Sequence, residues 1–182
     1  MKNKKIILSA LVIILLAAAA VFWISNMNVQ YMKTEVASSN GSNYELMLPE
    51  GMEPAQLNDN ASLQYADEKN NLYVIVIDES KEKIVSFGLD YDLDTYMKIA
   101  SRTLDSAGVF VNKSITINDT KALQTDIGVA RKSGNMSYIL TCLETKTYFY
   151  QLLVWTTTGR LEQNKEKMIH IINTFKETQK KP

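Results

Sequence analysis

The run Leu72-Tyr73-Val74-Ile75-Val76-Ile77-Asp78 decides the architecture. Side chains alternate along a strand, so Leu72, Val74 and Val76 point one way and Tyr73, Ile75 and Ile77 the other. Both sets are apolar. A strand that is apolar on both faces must be covered on both faces, so its sheet needs a helical layer on each side. Ser137–Thr145 and Tyr148–Thr156 read the same way and belong with it at the centre of the sheet.

Working outward, Tyr44–Leu48 is a short strand stopped by Pro49, Glu50 and Gly51, and Ser62–Ala66 is a second. Val109–Ile117 and Ala122–Ala130 are one-sided, carrying Ile115 and Ile117 in the first and Leu123, Ile127 and Val129 in the second. Asn118-Asp119-Thr120 makes the turn between them. Leu93, Met97, Ala100 and Leu104 recur at helical spacing and predict a helix over Asp94–Ala107, capped by Asp92 or Asp94 and ended by Gly108. Gly159 introduces a last helix, Leu161–Phe175, with Met168, Ile172 and Phe175 on one side. The expected fold is α+β: an antiparallel sheet of about seven strands with helices on both faces, an α/β/α sandwich whose strand order is left open.

The N-terminus reads differently. Ile6–Ile24 is 19 residues without a charge, preceded by Lys2, Lys4 and Lys5. As a helix it would span roughly 28 Å, close to the hydrocarbon thickness of a bilayer. The lysines keep the N-terminus in the cytoplasm and send the rest of the chain across; Phe22 and Trp23 suit the far interface. Ala18 and Ala20 offer a signal-peptidase-like site, which would make the product secreted after cleavage. The apolar run is longer than the ~7–15 residues of a signal-peptide core, which favours a retained anchor. The expected division is 1–25 membrane anchor or signal segment, 26–43 flexible tether, 44–176 folded domain and 177–182 frayed tail.

Composition narrows the function classes. The 182 residues carry 20 basic and 20 acidic side chains. Three of the basic ones are the lysines before the apolar run, so the remainder has a net charge of −3, which argues against a nucleic-acid partner. Cys142 is the only cysteine, which excludes an internal disulfide and a four-cysteine zinc site and leaves no acylation cysteine after the apolar run. In its strand-like setting it reads as a small buried hydrophobe.

No constellation specifies a chemistry. Asp90, Asp92 and Asp94 resemble the opening of a calcium loop, but Thr95 and Ser101 stand where that loop needs Gly and an acid, so helix capping is the reading. His170, the only histidine, lies roughly opposite Met168 and Ile172 on the last helix, a solvated position rather than a catalytic one. Phosphate-cradling glycine motifs are missing. Asn40, Asn60, Asn112, Asn118 and Asn135 open N-x-Ser/Thr sequons, which would matter only in a eukaryotic secretory pathway. Met47, Met52, Met136 and Met168 are scattered and read as packing. The expectation is no catalytic residue, no cofactor and no metal.

Two stretches carry a family resemblance. Tyr44-Glu45-Leu46-Met47-Leu48-Pro49-Glu50-Gly51-Met52 is a strand closing in Leu-Pro-x-Gly. Tyr148-Phe149-Tyr150-Gln151-Leu152-Leu153-Val154-Trp155 is followed by Gly159-Arg160, a helix and Asn173-Thr174-Phe175. With the strand–helix–strand order between them, Tyr44–Lys176 resembles the PsbP-like fold. That group includes the extrinsic photosystem II subunit, a nuclear-import factor that binds the Ran GTPase, and DcrB-like bacterial envelope lipoproteins. Relatives often carry Trp where this chain has Met52, and a helical anchor would replace the lipoprotein cysteine. The resemblance implies an extracytoplasmic accessory role through a protein partner, without enzymatic activity, in a bacterial envelope. It assigns no site residue. A small-ligand or lipid-binding domain is the alternative.

Overall fold

The computed structural model describes residues 29–104, 110–130 and 134–179. The expected membrane segment, 1–25, lies outside them; among the described residues no helix is long and apolar enough to cross a membrane. The described residues from Met32 onward form one compact unit. Its elements are β1 (Tyr31–Ala37), β2 (Asn43–Pro49), β3 (Glu53–Pro54), β4 (Leu63–Asp67), β5 (Leu72–Ser80), α1 (Lys81–Ser86), α2 (Leu93–Leu104), β6 (Lys113–Ile117), β7 (Thr120–Val129), β8 (Met136–Glu144), β9 (Tyr148–Thr157), α3 (Leu161–Asn173) and β10 (Lys176–Glu177).

Seven strands form an antiparallel sheet in the order β3-β4-β5-β9-β8-β7-β6. The two-sided strands β5, β9 and β8 are its centre, as their alternation requires. Leu72, Val74 and Val76 join Leu152, Val154 and Ile139 in one core, closed by Met168, Ile171 and Ile172 of α3. Ile75, Leu153, Leu140 and Cys142 turn to the other face and pack under Leu93, Tyr96, Met97 and Ala100 of α2. Burying each such large apolar side chain stabilises the fold by roughly 1.5–3 kcal/mol, so two facing cores are what hold the sheet between its layers. An aromatic row pins the register: Tyr73, Trp155 and Tyr138 are cross-strand neighbours, with ring centroids 5.3 and 5.9 Å apart. The β6–β7 turn falls at Asn118 and Asp119, both with positive φ (45° and 64°), the geometry of a two-residue hairpin turn that Asn and Asp tolerate.

Four expectations need correction. Residues 26–43 are not all tether, because Tyr31–Ala37 is a strand. The run Ser38–Ser42 is a turn, closed by Ser38 N donating to Ser42 O with Gly41 at φ 93°, that leads directly into β2. Second, Tyr44–Leu48 does not join the main sheet. It is the middle strand of a separate three-stranded sheet, β1-β2-β10, and the two-residue β3 takes the seventh place in the main one. Third, the tail expected over 177–182 does not fray from its first residue. Lys176 and Glu177 pair with Glu45 and Tyr44, and Thr178 N donates to Asn43 O. Fourth, α1 was unforeseen, since six residues are too few to show a helical apolar period.

Candidate functional site

The chemistry-bearing side chains gather at the end of the sheet where β5 passes into α1. Residues at matching register form a row across three strands: Glu79 opposite Phe149, and Phe149 opposite Glu144. Ser80 starts α1 by accepting from Lys83 N (3.4 Å), which brings Lys81 over the row. Lys81 Nζ donates to Glu144 Oε1 at 2.7 Å and stands 4.7 Å from the centre of the Phe149 ring. From beneath, the Tyr96 ring of α2 stacks on Phe149 with centroids 4.7 Å apart.

An open cleft of about 220 Å³ results, lined by Lys81, Ile84, Asp90, Tyr91, Glu144 and Phe149. A neighbouring depression runs over Lys146, Thr147 and Tyr148. Below the cleft, burial raises the Tyr96 hydroxyl and the Cys142 thiol above their ordinary pKa values, with the Glu79 carboxylate adding to both. Tyr96 Oη makes no hydrogen bond of good geometry, and the Glu79 side chain is its polar neighbour. Cys142 is fully buried, so it is no accessible nucleophile.

Beside the cleft the chain turns sharply. Gly88 N donates to Val85 O and Leu89 N to Ile84 O, with Gly88 at φ 74°: a Schellman closure with glycine at the left-handed position. This fixed turn holds three apolar side chains in solvent, Val85 at 62% exposure, Phe87 at 70% and Leu89 at 43%. The run Asp90, Asp92 and Asp94, all exposed, follows at once.

A second polar cluster lies on the opposite side of β5. The Asp78 carboxylate, 1% exposed, accepts from Ser38 Oγ at 2.9 Å and Ser42 Oγ at 2.8 Å, while Asn40 Nδ2 donates to the Asp78 carbonyl. Nearby, Tyr150 Oη and Thr145 Oγ1 both donate to Glu177 Oε1, at 2.8 and 3.0 Å. These groups satisfy one another and fasten the small sheet to the large one.

The residues singled out in the sequence are dispersed. Asp92 Oδ1 accepts from Thr95 N at 2.7 Å and caps α2, and its bonds to Thr95 hold its carboxyl below the usual value. Asp90 lines the cleft. His170 is exposed on α3, far in sequence and element from the cleft. Met52 and Met168 are core residues. Of the sequon asparagines, Asn118 is structural: its Nδ2 donates to Phe175 O at 2.8 Å and to Asn173 O. Among the described residues no three potential metal-ligating side chains converge. Sequence reasoning missed Lys81, Glu144 and Phe149: the last two face each other in the β8–β9 hairpin, but only the pairing of β5 with β9 brings Lys81 to them. It missed the Val85–Leu89 turn as well, though three bulky apolar residues around a glycine in a short polar-flanked run were a legible signal.

No protein-family model matches the chain, and no curated protein does. Solved structures do. One is LpqN, a protein involved in cell envelope biogenesis of Mycobacterium tuberculosis, with a TM-score of 0.59 and 12% identity over 82% of this chain and 92% of that one. Another is the cyanobacterial PsbP of Synechocystis sp. PCC 6803, with a TM-score of 0.59 and 10% identity over 82% and 94%. The class is therefore an α+β domain of PsbP-like fold. At these identities the likeness is one of fold alone.

Proposed function

We propose that this protein is a membrane-anchored, extracytoplasmic accessory domain that acts by binding a protein partner and carries out no chemistry of its own. The observation that carries the reading is the turn Val85–Leu89. A rigid backbone holding Val85, Phe87 and Leu89 in water loses little conformational entropy when a partner covers them, which is how binding surfaces differ from scattered exposed apolar residues. The uncharged run Ile6–Ile24 behind three lysines supports the anchor and the extracytoplasmic side. A shared fold with an envelope-biogenesis protein and with PsbP is in keeping with an accessory role.

The test is photo-crosslinking in the native membrane, with p-benzoylphenylalanine in place of Phe87 and, as a control, in place of the exposed Lys165 on α3. A discrete adduct from position 87 alone is expected. Equal labelling from both positions, or none from 87, would count against partner binding through this turn. The alternative, a small-ligand or lipid-binding domain, would use the cleft of about 220 Å³ or the neighbouring open depression of about 340 Å³ over Lys146 and Tyr148, which lie below and at the low end of the roughly 300–1,000 Å³ usual for such sites. Intact mass of the purified protein distinguishes a retained anchor from cleavage near Val21.

A further inference from the structure

The charges around the Val85–Leu89 turn bear on the kind of partner it receives. Its apolar side chains are bordered on one side by Asp90, Asp92 and Asp94, all in solvent. The cleft beside Val85 presents Asp90 and Glu144 carboxylates and the rings of Phe149 and Tyr91. Its single cation, Lys81, is already engaged by Glu144 and by the Phe149 ring. The lining thus sets two carboxylates against one cation; both faces of the Phe149 ring are taken by Lys81 and Tyr96, so the Asp90 carboxylate and the Tyr91 ring are what a further cation would meet.

We infer that the partner presents a segment in which a bulky apolar side chain is flanked by Arg or Lys. The apolar side chain packs on Phe87 and Leu89, and the cation enters the cleft toward Asp90. A volume of about 220 Å³ suits one long side chain rather than a free metabolite. Like-charged segments are excluded by the same acids, which gives the surface selectivity as well as affinity. This inference rests on the partner-binding reading.

The experiment separates the two. The full chain carrying p-benzoylphenylalanine at position 87 is crosslinked in its native membrane, and the partner peptide in the adduct is sequenced by mass spectrometry. The expected contact peptide has a bulky apolar residue with Arg or Lys within about three positions, the reach of one side chain along a strand or helix turn. Asp90→Lys is expected to cut the adduct yield at least about fivefold, and Asp90→Asn by a smaller factor. Raising salt from about 50 to 500 mM should weaken it severalfold, as screening of exposed charges requires. Thermal unfolding of both variants near the parent value shows that the fold is kept. An acidic or uncharged contact peptide, or a yield indifferent to Asp90→Lys and to salt, would overturn the inference while leaving partner binding standing. Absence of any adduct at position 87 would overturn both.

Discussion

Ser42 Oγ donates a hydrogen bond to Asp78 Oδ2 at 2.8 Å across a gap of 36 residues. Ser42 closes the turn before β2, and Asp78 stands near the end of β5. The bond therefore ties the small sheet to the centre of the large one. Both residues are buried, and Ser38 Oγ gives the same carboxylate a second donor at 2.9 Å. Among the described residues no ion pair involves Asp78. The carboxyl group is met by hydroxyl donors, so each donor offsets a large share of its desolvation.

Asp78→Ala should therefore be severe. It strands the Ser38 and Ser42 hydroxyls and opens a small void, at a cost of about 2–4 kcal/mol. For a domain of this size the melting temperature would fall by roughly 5–15 °C. Asp78→Asn, which keeps one acceptor, should lose less. Urea unfolding of the two variants gives the order directly, and equal losses would show that the carboxylate charge matters little.

The C-terminal strand makes a second, separable contribution. Glu177 Oε1 accepts from Tyr150 Oη and Thr145 Oγ1, and Tyr150 is fully buried. Ending the chain after Phe175 leaves the Tyr150 hydroxyl without that acceptor and removes the β2–β10 pairing. The expected cost is about 2–3 kcal/mol. Ending it after Gln179 should cost nothing measurable. Thermal melts of the two truncations decide whether β10 is a strand in earnest.

Stability should fail at alkaline pH. Burial pushes Tyr44, Tyr96, Tyr150 and Cys142 upward from ordinary values of 10.0 for the tyrosines and 9.0 for the thiol. A raised acid stays protonated in the folded state while the unfolded chain ionises. Stability is thus complete below about pH 9 and declines as pH rises past 9 to 10. Each group that ionises only in the unfolded chain contributes a slope of about 1.4 kcal/mol per pH unit. The midpoint of urea unfolding, measured from pH 7 to 11, should be flat and then fall. Tyr96→Phe, which removes a buried hydroxyl without a well-formed hydrogen bond, should shallow the fall while changing stability at pH 7 by less than about 1 kcal/mol.

At the β6–β7 turn two neighbouring substitutions should act in opposite directions. Asp119 has a φ of 64°, which Gly adopts without strain. Asp119→Gly is expected to stabilise by up to about 1 kcal/mol. Asn118→Ala loses the amide bonds to Asn173 O and Phe175 O at the end of α3 and should destabilise by about 1–2 kcal/mol. Chemical denaturation of the pair tests the sign of each.

What the amino-acid sequence determined by itself was the layering. The alternation in Leu72–Asp78, Ser137–Thr145 and Tyr148–Thr156 demanded cover on both faces, and the stripes Leu93–Met97–Ala100 and Met168–Ile172 supplied it. These signals are legible because burial of large side chains repeats with the period of the element that carries them. Only the tertiary structure decided where the backbone hydrogen bonds go. β1 is half-exposed, with Lys33 bonded to Glu35 and Glu45, and β10 is two residues long. Elements held by main-chain pairing and polar contacts leave no apolar period to read, so a tether and a tail proved to be strands. The site follows the same rule. Glu144 and Phe149 face each other in the β8–β9 hairpin, but Lys81 reaches them only because β5, far away in sequence, pairs with β9, and that register is set by the whole sheet rather than by any one of its segments.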